Sequence, residues 1–215
     1  MGLDYQNHHV FCGRNSDEAR VRAHVREALV ELGYTPAHAA EPDRSMALAS
    51  TGSWLAVFDS TESEGALQPF RELGVALSAT YPVVSIEVSD SAVVVLTLLS
   101  GGRVLDRFAN GRMPIYLFTS EDEAAPFRGA PATWCSVLGL SSRRELETAF
   151  EQRLGVPDIL ARFSEALGLN PDIAACGYFV SFDGDPVPYD EYLDARVQEA
   201  AGFEEQHYMR TGGAE

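Results

Sequence analysis

Two periodicities divide the first half of the chain into predicted strands and helices. Apolar residues recur every three or four positions before Gly33 and again over 65–79, which predicts two amphipathic helices. Residues 83–88 alternate instead, with Ser85 and Glu87 on the face opposite valine and isoleucine, which predicts a half-exposed strand. The other predicted strands are 9–12, 45–50, 54–58, 92–99, 104–108 and 115–118.

The order of these elements predicts an α+β fold. Strand, helix, two strands, helix and further strands follow the ferredoxin-like βαββαβ order, so we expect an antiparallel or mixed sheet with two helices on one face and extra strands. A segment rich in proline, glycine and alanine at 124–132 then indicates a boundary. We predict an α+β sheet domain over 1–120, a mainly helical C-terminal subdomain over 121–205 packed on it, and a flexible tail over 206–215.

The charged residues exclude several kinds of chemistry. The chain has no lysine, so all 16 of its basic residues are arginine, against 32 aspartates and glutamates and a net charge of -16. Schiff-base, pyridoxal phosphate and Walker-type mechanisms, which need a lysine, are therefore excluded. The arginines are dispersed, which argues against a nucleic-acid partner, whereas a basic protein partner fits the net charge. A GC-rich bacterial genome explains the missing lysines better than a functional demand does.

The remaining composition indicates a cytoplasmic protein. Cysteines at 12, 135 and 176 are odd in number and widely spaced, which is not typical of a disulfide framework. The first seven residues have neither the basic nor the apolar part of a signal peptide. The apolar run over 92–99 is too short to cross a membrane, so we expect no membrane association.

Metal and cofactor motifs are weak in this sequence. His8, His9 and Cys12 form its densest group of soft ligands, but a zinc site needs three or four ligands from at least two segments, so packing or surface histidines are the favoured interpretation. Gly101 and Gly102 lack the spacing and the strand-to-helix context of a dinucleotide loop. No cofactor is predicted.

Carboxylates are the remaining candidates for a functional site. Asp59, Glu62 and Glu64 follow an apolar strand, where α/β proteins often place functional carboxylates, and they are the predicted binding residues. Asp90 and Asp106 lie at a turn and on the adjoining strand. If the register brought them close to Asp59, the three could act as acid and base or hold a cation. The favoured alternative is that each has only a local structural role.

A spaced pattern in the chain resembles one found in bacterial proteins that have no established activity. It consists of Trp54-x-x-Val57-x-Asp59, Leu77-Ser78, Asp90-Ser91, Gly101-Gly102 and Asp106-x-Phe108. The resemblance implies no activity. It implies only that Asp59, Asp90 and Asp106 lie together near one end of the sheet.

These observations favour a protein without its own catalysis. We expect an acidic cytoplasmic protein that binds a basic protein partner, as an inhibitor, immunity protein or regulatory subunit does. One alternative is a small hydrolase or lyase that uses Asp59, Asp90 and Asp106, with or without a metal ion. Another is a module that holds a small ligand between the sheet and the C-terminal half. The oligomeric state does not follow from the sequence.

Overall fold

The computed structural model describes residues 3–13, 18–38, 41–61, 67–110, 120–141, 143–151, 155–182 and 185–211. Within these ranges the chain has an α+β fold built on one large antiparallel sheet, and the prediction is confirmed at this level. The described strands are β1 (Leu3–Phe11), β2 (Tyr34–Pro36), β3 (Arg44–Thr51), β4 (Trp54–Asp59), β5 (Val83–Ser89), β6 (Val93–Ser100), β7 (Arg103–Ala109), β8 (Phe179–Phe182), β9 (Asp185–Pro188) and β10 (Glu204–Arg210).

Helices lie between and after these strands. The predicted strand at 115–118 falls outside the described residues, as do Glu62 and Glu64. The described helices are α1 (Glu18–Glu31), α2 (Leu67–Ser78), α3 (Glu121–Ala124), α4 (Pro131–Leu138), α5 (Arg143–Glu151), α6 (Val156–Leu167), α7 (Pro171–Ala174), α8 (Tyr189–Tyr192) and α9 (Ala195–Ala201), with a short 3-10 helix at Ala125–Phe127.

The sheet is antiparallel at each of its described pairings. Its main path runs β2-β10-β3-β4-β1-β5-β6-β7, and β8 and β9 extend it from the start of β1. β4 is buried at all six of its positions, as its uninterrupted apolar sequence before Asp59 predicts for a central strand. β1 lies beside it at the centre of the sheet, because β4 and β5 pair with it on either side.

Each face of the sheet has its own hydrophobic cluster. On one face, Val25 and Leu29 of α1 and Leu73 and Leu77 of α2 pack against apolar side chains of the central strands. On the opposite face, the C-terminal helices contribute to a larger cluster that includes the buried Trp134. Residues from both predicted domains therefore share this second cluster, while the boundary near residue 120 stays a prediction.

The C-terminal segment differs from the prediction. Residues 206–210 belong to β10, which pairs with β2 on one side and β3 on the other, so they are not a tail. Tyr208 is only 1% exposed and anchors the strand in the cluster beneath α1. The acidic residues Glu204 and Glu205 give the segment no apolar pattern that would predict a strand. The strand forms because its backbone is hydrogen-bonded on both sides, independently of side-chain polarity.

Candidate functional site

Asp59, the central carboxylate of the sequence-based hypotheses, is fully buried in an ion pair. Its Oδ1 atom accepts a hydrogen bond of 3.0 Å from Arg44 Nε, and its Oδ2 atom contacts Arg44 Nη2. The same Oδ1 accepts bonds from the backbone and the hydroxyl of Thr61, at 3.1 and 2.9 Å. The Arg44 guanidinium also lies 4.9 Å from the centre of the Tyr34 ring. Asp59 therefore holds the ends of β3 and β4 together.

Asp106 connects the sheet to the C-terminal helices. Its Oδ2 atom accepts bonds of 2.6 Å from the backbone of Ala130 and from Trp134 Nε1. Three strands, β1, β5 and β6, separate its strand β7 from Asp59 on β4. At about 4.8 Å per spacing, these two carboxylates lie on the order of 19 Å apart across the sheet.

Asp90 lies in the tight turn between β5 and β6. Both Asp90 and Ser91 have positive φ angles, of 51° and 48°, as the two central residues of a type I′ turn require. The backbone N–H of Asp90 donates to Asp4 Oδ1 at 2.9 Å, and the backbone N–H of Leu3 donates to Ser91 Oγ at 2.6 Å. The structure thus does not bring Asp59, Asp90 and Asp106 into one cleft.

The three candidate metal ligands also lie apart. His8 and His9 are neighbours on β1 and so point to opposite faces of the sheet. His9 packs edge-on against Trp54 at 6.5 Å between ring centres, while the Cys12 thiol donates to the carbonyl of Val10 at 3.4 Å. Across the described ranges, no three histidine, cysteine or carboxylate side chains are grouped closely enough to bind a metal ion.

A different set of polar residues does converge beneath α2. The register pairs four of them successively across β1, β5, β6 and β7: His8, Ser85, Thr97 and Arg107. Because residues directly opposite each other in antiparallel strands lie on the same face, the four side chains form one row, which we call the polar row. The His8 Nδ1 and Ser85 Oγ atoms are 2.7 Å apart and share a hydrogen bond, whose donor depends on the imidazole tautomer.

A cavity of about 300 Å³ lies over the solvent side of the polar row. This volume is at the lower end of the range for small-molecule sites, which is roughly 300–1,000 Å³. The polar lining consists of Arg71, Ser85, Glu87, Thr97 and Arg107. The apolar lining consists of Val75, Val95, Leu99, Val104 and Phe127.

Gly74 allows α2 to lie directly on the buried end of the polar row. A Cβ atom at this position would be 2.8 Å from His8 Cε1 and 3.3 Å from Ser85 Oγ. The first distance is shorter than side chains tolerate, so a larger residue would push His8 aside or lift the helix. Glycine within a helix costs about 0.5–1 kcal/mol relative to alanine, and here the close approach of α2 offsets that cost.

Charged side chains converge at the rim of the cavity. Arg71 Nη2 is 3.6 Å from Glu87 Oε2, and the Arg107 guanidinium lies 5.4 Å from the centre of the Phe127 ring. Burial raises the pKa of the Glu87 carboxyl above its usual value, although Arg71 and Arg107 act in the opposite direction. Two guanidinium groups facing one carboxylate leave a local excess of positive charge, in contrast to the net charge of -16 of the whole chain.

Two exposed apolar side chains lie at the same cavity. Among the described residues, the exposed large hydrophobic side chains are Val30, Val75 and Val104, at 52%, 38% and 39%. Val75 and Val104 both line the cavity, from α2 and β7 respectively. Apolar side chains exposed beside polar groups are typical of a ligand site.

The sequence held only part of the signal for this site. The alternation over 83–88 predicts Ser85 and Glu87 on the polar face of a strand, and His8 belongs to the weak candidate metal ligands. Arg71 and Arg107 were missed, because an isolated arginine on a helix or an edge strand is usually solvated. The pairing of β5, β6 and β7 brings Ser85, Glu87 and Arg107 together, and the packing of α2 over these strands adds Arg71.

Comparison with known proteins finds no matching family model, curated protein or solved structure. None of the helices in the described part of the chain combines the length and the apolar character that crossing a bilayer requires.

Proposed function

We propose that this protein is a binding module for a small organic molecule, held in the cavity between α2 and strands β5 to β7. One observation carries the proposal: two of the exposed large hydrophobic side chains in the described ranges, Val75 and Val104, line a single cavity that also contains Ser85, Thr97 and Arg107 of the polar row. Apolar walls with a few placed polar groups are the usual composition of such sites, since the walls bind and the polar groups orient. The sequence-based alternative placed a ligand on the opposite face, where the larger hydrophobic cluster lies.

A substitution that fills the cavity tests this function. Val104→Trp places an indole at the mouth of the cavity, whereas Val30→Trp adds the same group to an exposed position on α1, outside the cavity lining. A fragment library is screened against the full chain by saturation-transfer NMR. We expect fragments that bind the wild type and Val30→Trp to lose binding to Val104→Trp. The proposal is wrong if no fragment binds, or if the two variants behave alike.

A second candidate is the acidic cytoplasmic protein that binds a basic protein partner. The observation that favours it is an uneven distribution of charge over 185–205. This stretch has one arginine, Arg196, against seven exposed carboxylates: Asp185, Asp190, Glu191, Asp194, Glu199, Glu204 and Glu205. Such a field accelerates association with a positively charged surface and weakens as salt increases.

Matched charge variants test the second candidate. One variant carries Asp190→Asn, Glu191→Gln and Glu199→Gln, and the control carries Asp158→Asn, Glu165→Gln and Asp172→Asn at exposed positions outside this stretch. In pull-downs from native lysate at low salt, a stoichiometric basic partner is expected with wild type and control and not with the first variant. Recovery of no such partner, or equal loss in both variants, contradicts it.

We also propose that the centre of the fold is a ferredoxin-like unit made of β1, α1, β3, β4, α2 and β5. The adjacent strand order β3-β4-β1-β5 supports this assignment, as does the hydrophobic cluster that α1 and α2 share. The strands β2, β6, β7 and β10 then extend the unit on both sides. This type of fold hosts many activities, so the assignment does not identify the ligand.

A further inference from the structure

We propose that the ligand of this cavity is a small carboxylic acid with a short apolar body, whose carboxylate binds between Arg71 and Arg107. The inference depends on the proposed binding function and adds the chemical class of the ligand.

The rim contains more positive than negative charge. Arg71 projects from α2, Arg107 from β7, and Glu87 from β5 between them, so two guanidinium groups face one carboxylate. A guanidinium presents parallel N–H donors that match the two oxygens of a carboxylate. A ligand carboxylate placed there balances the second positive charge of the rim.

The Arg107 side chain is preorganised for such a contact. It is paired with Thr97 in the polar row, and its guanidinium lies over the Phe127 ring. An aromatic ring beneath a guanidinium restricts its motion while leaving its N–H donors directed outward. Binding then costs less side-chain entropy than it would at a free surface arginine.

The rest of the cavity suits an apolar body. Val75, Val95, Leu99 and Val104 form walls that bring no further charge, and the cavity volume of about 300 Å³ limits the ligand to a small molecule. A hydrophilic anion such as inorganic phosphate would leave these walls exposed to water. A carboxylate on a short alkyl or aryl group covers them.

The position of Glu87 predicts whether removing its charge strengthens or weakens ligand binding. Its carboxylate lies 3.6 Å from Arg71, so it competes with a ligand carboxylate for the same guanidinium. Removing this charge with Glu87→Gln, which keeps the side-chain shape, should strengthen binding of an anion. The same change should weaken binding of a cation, because Glu87 is the acidic residue in the described cavity lining.

The test is an NMR titration of the full-length protein with three probes that share a chain and differ in charge: hexanoate, hexanamide and hexylamine. Hexanoate is expected to shift the backbone amide resonances of Ser85, Thr97 and Arg107 in a saturable way. Hexanamide and hexylamine are each expected to bind at least about tenfold more weakly. Arg71→Gln and Arg107→Gln should each weaken hexanoate binding about tenfold. Arg103→Gln, at an exposed position of β7 outside the cavity lining, should not. Glu87→Gln should strengthen hexanoate binding several-fold.

Each outcome distinguishes the ligand class from the binding function. The carboxylate assignment is overturned if hexanamide binds the wild type as tightly as hexanoate does. It is also overturned if hexylamine binds best and Glu87→Gln weakens hexylamine binding. In both cases the cavity still binds small molecules. If none of the three probes shifts cavity amides, the carboxylate assignment is overturned. The fragment screen with Val104→Trp then decides the binding function separately. The probe series on the wild type keeps the test valid even if an arginine variant fails to fold.

Discussion

His9 provides the sharpest test of the forces that stabilise this fold. His9 lies on β1, which pairs with β4 and β5, and its side chain is completely buried. Neither ring nitrogen has a hydrogen-bond partner among the described residues. Burial lowers the pKa of His9 to about 3 from 6.5, with a smaller contribution from the adjacent His8. The imidazole is therefore neutral in the folded protein over a range of pH in which the unfolded chain binds a proton.

The sign and size of the effect follow from this difference. Between pH 6.5 and pH 3 the unfolded state holds more protons at His9, so the free energy of unfolding falls as the pH falls. At about 1.4 kcal/mol per pH unit, the loss over the whole window is on the order of 5 kcal/mol. Above pH 6.5 this contribution vanishes, since His9 is then neutral in both states.

The substitution His9→Leu isolates this term. At pH 7.5 the variant is expected to be more stable by about 1–3 kcal/mol, because a buried polar group without partners is removed. At pH 4.5 the advantage should grow by a further ~3 kcal/mol, which is two pH units of the linkage slope. Urea unfolding followed by the fluorescence of the buried Trp54 and Trp134 measures both values.

The control is His38→Leu, since His38 is exposed and lies outside the core. It should change the free energy of unfolding by less than about 0.5 kcal/mol at either pH. The reasoning is refuted if the advantage of His9→Leu is the same at pH 7.5 and 4.5, because the buried imidazole would then not resist protonation. A loss of stability at both values would show that packing, not hydrogen bonding, dominates at this position.

Three further changes test the site and the sheet. Gly74→Ala should destabilise the protein by about 1–3 kcal/mol in urea unfolding, since its Cβ meets the His8 ring, and an unchanged midpoint would contradict the close approach of α2. Asp59→Asn should lower the free energy of unfolding by about 3 kcal/mol, because it removes the charge that pairs with Arg44. The double variant Arg44→Met, Asp59→Leu should recover part of that loss. Tyr208→Ala should cost about 3–5 kcal/mol and increase hydrogen exchange in β10, while fast exchange in β10 of the wild type would argue against its place in the sheet.

Local periodicity by itself determined the main elements of this protein. The amphipathic spacing before Gly33 predicts α1, the apolar run before Asp59 predicts β4, and the alternation over 83–88 predicts β5. These signals are local, because a helix or a two-sided strand must present apolar residues at fixed intervals to the core. The absence of lysine likewise excludes whole reaction classes without any knowledge of the fold.

Strand pairing decided what local periodicity could not. Glu204 to Arg210 form a strand because β2 and β3 offer backbone partners on both sides. No hydrophobic pattern within the segment predicts this strand. Strand order places Asp59 and Asp106 four strand spacings apart, so the expected carboxylate cluster does not form. Register aligns His8 with Ser85, Thr97 and Arg107, which forms the polar row. Contacts between residues far apart in sequence depend on the order and offset of strands, and those follow from the packing of the whole sheet and its helices.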